Sequence, residues 1–317
     1  MNIAVTQDTQ PLGSSPLRRH NLRRGQMGKV ILLAIALPCL ATLPWSVSRY
    51  EGQAGDEIKA YQAPNGSQLM GTDSLGRSLF WRILLGGAIS LAIGVAAAVI
   101  AVAIGVTWGA TAGYIGGRTD AFMMRAVDVL YGLPYILLVV LVNIALQPIV
   151  FRFANAFLRA DVAAGIADIV TLLIAIGGIS WLTMARVIRG QVLSLRTLPF
   201  IEAARAYGVG PKRMMINHLL PNLIGPIIVY TTLAVPQAIL QESFLSFLGI
   251  GVQAPLPSWG NLASDGLVEL HALGIKGTTM RWWLFVWPCA LLGLTLLSLN
   301  FLGDALRARW DPRSSHV

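Results

Sequence analysis

Hydrophobic residues in this chain come in long runs separated by short polar stretches. A helix needs about 20 mostly apolar residues to cross a bilayer, and six runs qualify. They are Val30–Val47, interrupted by Pro38 and Pro44; Ile83–Tyr114, long enough to tilt or project into water; Val127–Val150; Ile166–Ala185; about Leu223–Leu248; and Trp282–Leu302. The pattern predicts an all-α, polytopic membrane protein with six transmembrane helices. Within the second run Gly105, Gly109 and Gly113 recur every four residues. That spacing lets helix backbones approach closely, so it predicts a tightly packed helix rather than a transport path. No fixed-period repeat suggests a solenoid.

Composition agrees with the pattern. Of 317 residues 55% are hydrophobic and 12% charged, against about 25% charged in a soluble domain. Mean hydropathy is +0.64, so the surface must be hidden in lipid. The net charge of +9 does not indicate nucleic acid, because the basic residues lie in short loops and form no single stripe. Their distribution instead sets orientation. With a cytoplasmic N-terminus, segments 1–29, 114–126, 186–222 and 303–317 hold 16 Lys and Arg, and segments 48–82, 151–165 and 249–281 hold eight. This bias predicts both termini inside the cell.

Four regions follow: a flexible basic tail (1–29), a first span with its extracytoplasmic segment (30–82), a core transmembrane domain (83–305) and a C-terminal cytoplasmic tail (306–317). The polar start, with no small-residue cleavage site, is no secretory signal. Cys39 and Cys289 lie in apolar runs and read as buried thiols. No Cys/His cluster predicts a metal site.

Residues 197–222, between the fourth and fifth runs, are too polar to cross a membrane and too patterned for a simple connector. Pro199 can start a helix, and Glu202 lies in the first turn, where the helix dipole favours negative charge. Ala203, Ala204, Arg205 and Ala206 are mostly good helix formers, and Gly208 can end the helix in a left-handed conformation. A second short helix fits from Pro211 to about His218, and Pro221 opens the fifth span. Two roles suit this two-helix knob equally on physical grounds. It can dock a partner, with Ala203 and Ala204 leaving room and Glu202 and Arg205 at the rim. It can also lie on the membrane, with Arg205, Lys212 and Arg213 on lipid phosphates.

Glu202-Ala203-Ala204, then Gly208, then His218-Leu219-Leu220-Pro221 resembles the EAA signature of ABC-importer permeases. Leu69 to Arg77 is similar to the LGTDxxGRD segment of C-type subunits of dipeptide/oligopeptide permeases, but Met70 is inserted after Leu69 and Ser78 replaces the usual Asp. Gln241 to Gly249, Pro255 to Gly260, Asn300 to Arg307 and Asp311 to Arg313 extend the resemblance over most of the chain. It implies a type I ABC importer permease fold in the inner (plasma) membrane of a bacterial cell, and a peptide or peptide-like cargo. The loop becomes a pair of coupling helices seated on a separate ATPase, and His218 becomes a subfamily marker. The implied partners are a second (B-type) permease subunit, two ABC ATPase subunits and an extracytoplasmic solute-binding protein, besides membrane lipid. ATP and Mg would belong to the ATPases, since this chain has no phosphate-binding GxxxxGK[ST] loop.

Glu242 is the acidic residue well inside an apolar run, so it should face the bundle interior, a cavity or a partner. A hydrogen-bonded structural carboxylate is favoured over a gate or substrate contact. Gln237 and Gln241, four residues apart, suit one face of a translocation lining. Asp120, Arg125 and Asp128 are expected to pair with one another or with segment 186–222. Asp73 and Arg77 suit a local helical pair. An ion-gradient-driven secondary transporter is the alternative, and it would need charged pairs and broken helices near the midplane in both halves. An intramembrane enzyme would need a nucleophile and base in the spans, but His20, His218, His271 and His316 all lie outside them.

Overall fold

A computed structural model of the chain describes residues 16–52, 59–271 and 281–310. Eleven helices are assigned among them: α1 (Pro16–Ala41), α2 (Leu43–Gly52), α3 (Leu79–Ile115), α4 (Gly117–Tyr131), α5 (Tyr135–Asn155), α6 (Ala160–Leu195), α7 (Pro199–Ala206), α8 (Pro211–Met214), α9 (Leu220–Phe247), α10 (Trp259–His271) and α11 (Trp283–Trp310). A π-helical turn, Met215–Leu219, fuses α8 to α9. Six helices are long and apolar enough to span a membrane: α1, α3, α5, α6, the fused α8–α9 and α11.

The six spans thus stand, with shifted limits. The tail to Gly28 was expected to be flexible; its residues 1–15 lie outside the described residues, and from Pro16 it is helical, α1 running unbroken to Ala41. Glycines allow this: a Cβ on Gly25 would lie 3.6 Å from Phe301 O and one on Gly28 2.6 Å from Ser298 O, so α1 packs closely on the α11 backbone before the apolar run begins. The third span starts at Tyr135 rather than Val127. Residues before a proline avoid the α region, so Gly132-Leu133-Pro134 breaks the run and leaves Val127–Tyr131 on the separate helix α4. Segment 249–281 was expected to be a loop, but it contains α10, which packs on α9 and α11.

The two longest helices, α3 and α6, have 37 and 36 residues, about 55 Å each, and so outrun the ~30 Å hydrocarbon layer. They form the most extensive helix pair. The glycine stripe makes that contact: Cβ atoms on Gly105 and Gly113 would lie 2.9 Å from Trp181 O and 3.0 Å from Arg189 O. Gly177 repays the approach from α6, within 3.0 Å of Ala97 O.

Three apolar clusters stack along the bundle. The central one joins α3, α5, α6 and α9 around Ile93, Val139, Leu172 and Ile176. At one end Cys39, Ile83, Trp259 and Trp283 join α1, α3, α10 and α11. At the other Met184, Ile188, Ile201, Met214, Leu219 and Leu223 join α6 to the knob and the start of α9.

Next to the first end, Leu69–Arg77 folds as a compact turn, not a helix. Asp73 is its hub. It accepts the Leu75 and Arg77 amides at 2.9 and 2.8 Å, and the Arg77 Nε and Arg82 Nη1 groups at 2.7 Å each. The Asp73–Arg77 pair is therefore present, but turn backbone rather than helical pitch brings the two together.

Candidate functional site

The knob between α6 and α9 has two faces. Helix α7 opens on Pro199 and turns Ile201 and Ala204 inward, where they are 0% and 8% exposed and join Met184, Ile188 and Val192 of α6. Glu202, Ala203, Arg205, Ala206 and Gly208 are exposed, and Tyr207 is 90% exposed. The two alanines of the motif therefore differ. Ala203 leaves room on the outer face, as expected. Ala204 does not: its small side chain lets α7 sit tightly against the bundle, because residues three apart in a helix share a face with Ile201.

Gly208 ends α7 as expected, at φ +76°. Val209 N–H donates to Ala204 O at 3.1 Å and Gly208 N–H to Arg205 O at 3.0 Å. That is the paired closure in which a left-handed residue satisfies the last helix carbonyls. Val209 packs on the same cluster as Ala204. The second knob helix does not end near His218 but runs through the π turn into the fifth span. His218 is half-buried there, and its carbonyl accepts Asn222 Nδ2 at 2.6 Å. Pro221 follows the π turn inside the continuous α8–α9 helix, where it removes one helix hydrogen bond. The knob is thus continuous with α9 at one root and packed on α6 at the other.

Charged clamps stiffen the same end. Asp120 of α4 takes a two-pronged contact from Arg189 of α6, with Nε–Oδ1 2.5 Å and Nη2–Oδ2 2.6 Å. Arg186 bonds Asp128 at 2.8 Å and stacks over the Tyr131 ring at 4.0 Å. Arg196 donates to Gly113 O at 2.9 Å. Asp120 and Asp128 thus pair with segment 186–222, as expected.

Further along the bundle, a cavity of about 460 Å³ lies between α3, α5, α6 and α9. Gln237 and Gln241 both line it. Tyr135 and Ser180, not singled out from the sequence, complete its polar wall: Tyr135 Oη donates to Gln241 Oε1 at 2.6 Å and lies 3.1 Å from Ser180 Oγ. Each apolar run holds more than one hydroxyl, so no signal in the sequence singled these two out.

Glu242 is not part of this lining. It is 0% exposed, with Ser246 Oγ donating to Oε1 at 2.8 Å and Ser243 Oγ to Oε2 at 3.2 Å. Ser90 of α3 and Ser258, just before α10, also bond it. The neighbour of a cavity-lining Gln241 points elsewhere because adjacent helical residues do not share a face. Glu242 therefore ties α9 to α3 and α10. Glu242→Gln should preserve this knot. Glu242→Leu leaves four buried hydroxyls without their acceptor and should cost about 2 kcal/mol or more, read as a lower unfolding temperature in detergent.

Residues 101–316 match the family model of the binding-protein-dependent transport system inner membrane component. The chain is 38% identical over 297 residues to the oligopeptide transport system permease protein OppC of Haemophilus influenzae, covering 93% of this chain and 87% of that one. It is 42% identical over 250 residues to the dipeptide transport system permease protein DppC of Bacillus subtilis, covering 79% and 70%. In backbone shape it is similar to a chain of the MetNI methionine ABC transporter in inward-facing form, with a TM-score of 0.49 and 18% identity over 74% of this chain and 98% of that one. That likeness is too distant to carry the assignment, which rests on the family match and the sequence relatives. The chain belongs to the binding-protein-dependent transport system inner membrane components, as a permease subunit of an ABC importer.

Proposed function

We propose that this chain forms one half of a peptide-importing pathway and couples it, through the α7–α8 knob, to a separate ATPase. The observation that carries the reading is the two-faced α7. Ile201 and Ala204 fasten it to the bundle, while Glu202, Ala203, Arg205 and Tyr207 present a free outer face. The relatives named for oligopeptide and dipeptide transport support a peptide cargo. The complete transporter would hold a second permease subunit, two ATPases that bind ATP and Mg, and an extracytoplasmic binding protein. Closure of the ATPases would push the knob, and α6 and α9 would tilt as packed rigid elements to open the cavity to alternate sides. The excess of Lys and Arg at the knob end supports placing that end and both termini in the cytoplasm. The ion-gradient alternative finds no support among the relatives.

Glu202→Lys tests this. Position 202 is exposed, so the variant should insert and accumulate normally while peptide uptake falls at least about tenfold, a loss worth about 1.4 kcal/mol of docking energy. Normal uptake with the ATPases still bound would sink the docking assignment.

A further inference from the structure

The residues lining the α3–α5–α6–α9 cavity include no Asp, Glu, Lys, Arg or His. Its polar side chains carry only hydroxyls and amides: three tyrosines (Tyr131, Tyr135 and Tyr230), Ser180, Thr183 and the two glutamines. Arg186 stacks on the lining residue Tyr131 and is paired with Asp128, and neither charged residue is part of the lining. Within the wall, Tyr135 and Ser180 both engage Gln241 Oε1, at 2.6 and 3.5 Å. The acceptor atom of Gln241 is thereby occupied and its side chain held in one orientation. Its Nε2 group, and the whole amide of Gln237 one turn away, make no hydrogen bond to the described residues. The site thus offers amide donors and acceptors and no fixed charge. A volume of about 460 Å³ lies within the ordinary range for small-molecule sites, roughly 300–1,000 Å³.

We propose that Tyr135, Ser180 and Gln241, with Gln237 beside them, form a charge-blind subsite that binds the main-chain amides of a passing peptide rather than its side chains. The proposal rests on the peptide-importer reading and names how that pathway treats its cargo. Every peptide presents the same main-chain amides, so hydrogen bonds to these hold cargo in register whatever its sequence. A fixed charge would instead sort cargo, because Coulomb interactions in a partly desolvated site are far stronger than in water. Tyr135 and Ser180 act as positioning residues for the Gln241 amide.

The test uses the complete transporter in proteoliposomes, with both permease subunits, both ATPases and the binding protein at saturation. Maximal uptake is measured for three tripeptides of equal length carrying a neutral, a cationic or an anionic central side chain. Gln241→Glu should shift the cationic-to-anionic uptake ratio by about tenfold from the wild-type ratio, and Gln241→Lys by a similar factor the other way. Tyr135→Phe should lower uptake of all three by one common factor. If Gln241→Glu does not accumulate, Gln237→Glu at an exposed lining position carries the same expected bias. A wild-type ratio retained in charged variants that still hydrolyse ATP overturns the subsite and leaves the peptide reading standing. A wild-type complex that hydrolyses ATP yet moves none of the three peptides overturns both.

Discussion

Gly109→Leu is expected to abolish accumulation of the folded chain. A Cβ at position 109 would lie 3.0 Å from both Ala185 C and Ala185 Cα, and nearer still to the Ala185 carbonyl oxygen. These are backbone atoms inside α6, so no rotamer change can clear them. The two helices would have to separate along the most extensive interface of the bundle. Overpacking a core typically costs about 1–3 kcal/mol and sometimes more. With rigid backbone as the obstacle, a cost above about 3 kcal/mol is expected, against a total stability of about 5–15 kcal/mol. Membrane yield and unfolding temperature read the effect. Gly178→Ala in α6 is the control: nothing lies within 4 Å of its Cβ position, so that variant should accumulate like wild type.

Gly208→Pro should leave insertion intact and abolish peptide uptake. Proline fixes φ near −65° and removes the N–H. Position 208 needs φ +76° and donates its N–H to Arg205 O. Both requirements fail together, so the closure of α7 opens and the knob loses its shape, at about 3 kcal/mol or more. None of the six spans depends on this turn, so the chain still inserts. Gly208→Ala retains the N–H and pays only the left-handed backbone cost of about 1–2 kcal/mol. Its uptake should fall less, and ATP hydrolysis assayed beside uptake in vesicles separates loss of coupling from loss of the complex.

The spans and the knob were legible because their causes are local. Run length marks a membrane helix, and Pro199 and Gly208 mark the start and end of α7 in the backbone chemistry of single residues. Tertiary features were hidden. The three-residue spacing of Ile201 and Ala204 puts them on one face of α7, but only the bundle surface under α7 shows that this is the buried face. The π turn that continues α8 into α9 arises where Met214 and Leu219 both have to reach the same apolar cluster, a demand of packing rather than propensity. Helix α10 lies in 249–281, which was read only as the external segment between the fifth and sixth spans. Its order comes from packing on α9 and α11 and from α3, where Trp259 Nε1 bonds Ile83 O at 3.1 Å. The α4–α5 break had a local cause in Gly132-Leu133-Pro134, but the continuous apolar run concealed it. Glu242 was expected both as a structural carboxylate and as a candidate member of the translocation lining with Gln237 and Gln241; it lies outside the cavity lining, and its serine partners on α3 and before α10 needed the fold.

The central claim is that the outer face of α7 seats the ATPase, and a pair of neighbouring cysteines tests it most directly. Ala203 is exposed and Ala204 is 8% exposed, so Ala203→Cys places a thiol on the outer face of α7 and Ala204→Cys one on its buried face. Each variant is assembled with its ATPases in inside-out membrane vesicles and treated with a short bifunctional thiol reagent, against ATPases carrying surface cysteines. The account predicts a permease–ATPase adduct from position 203 and at most a trace from position 204. No adduct from position 203 in a complex that still transports, or equal adducts from both positions, would contradict it.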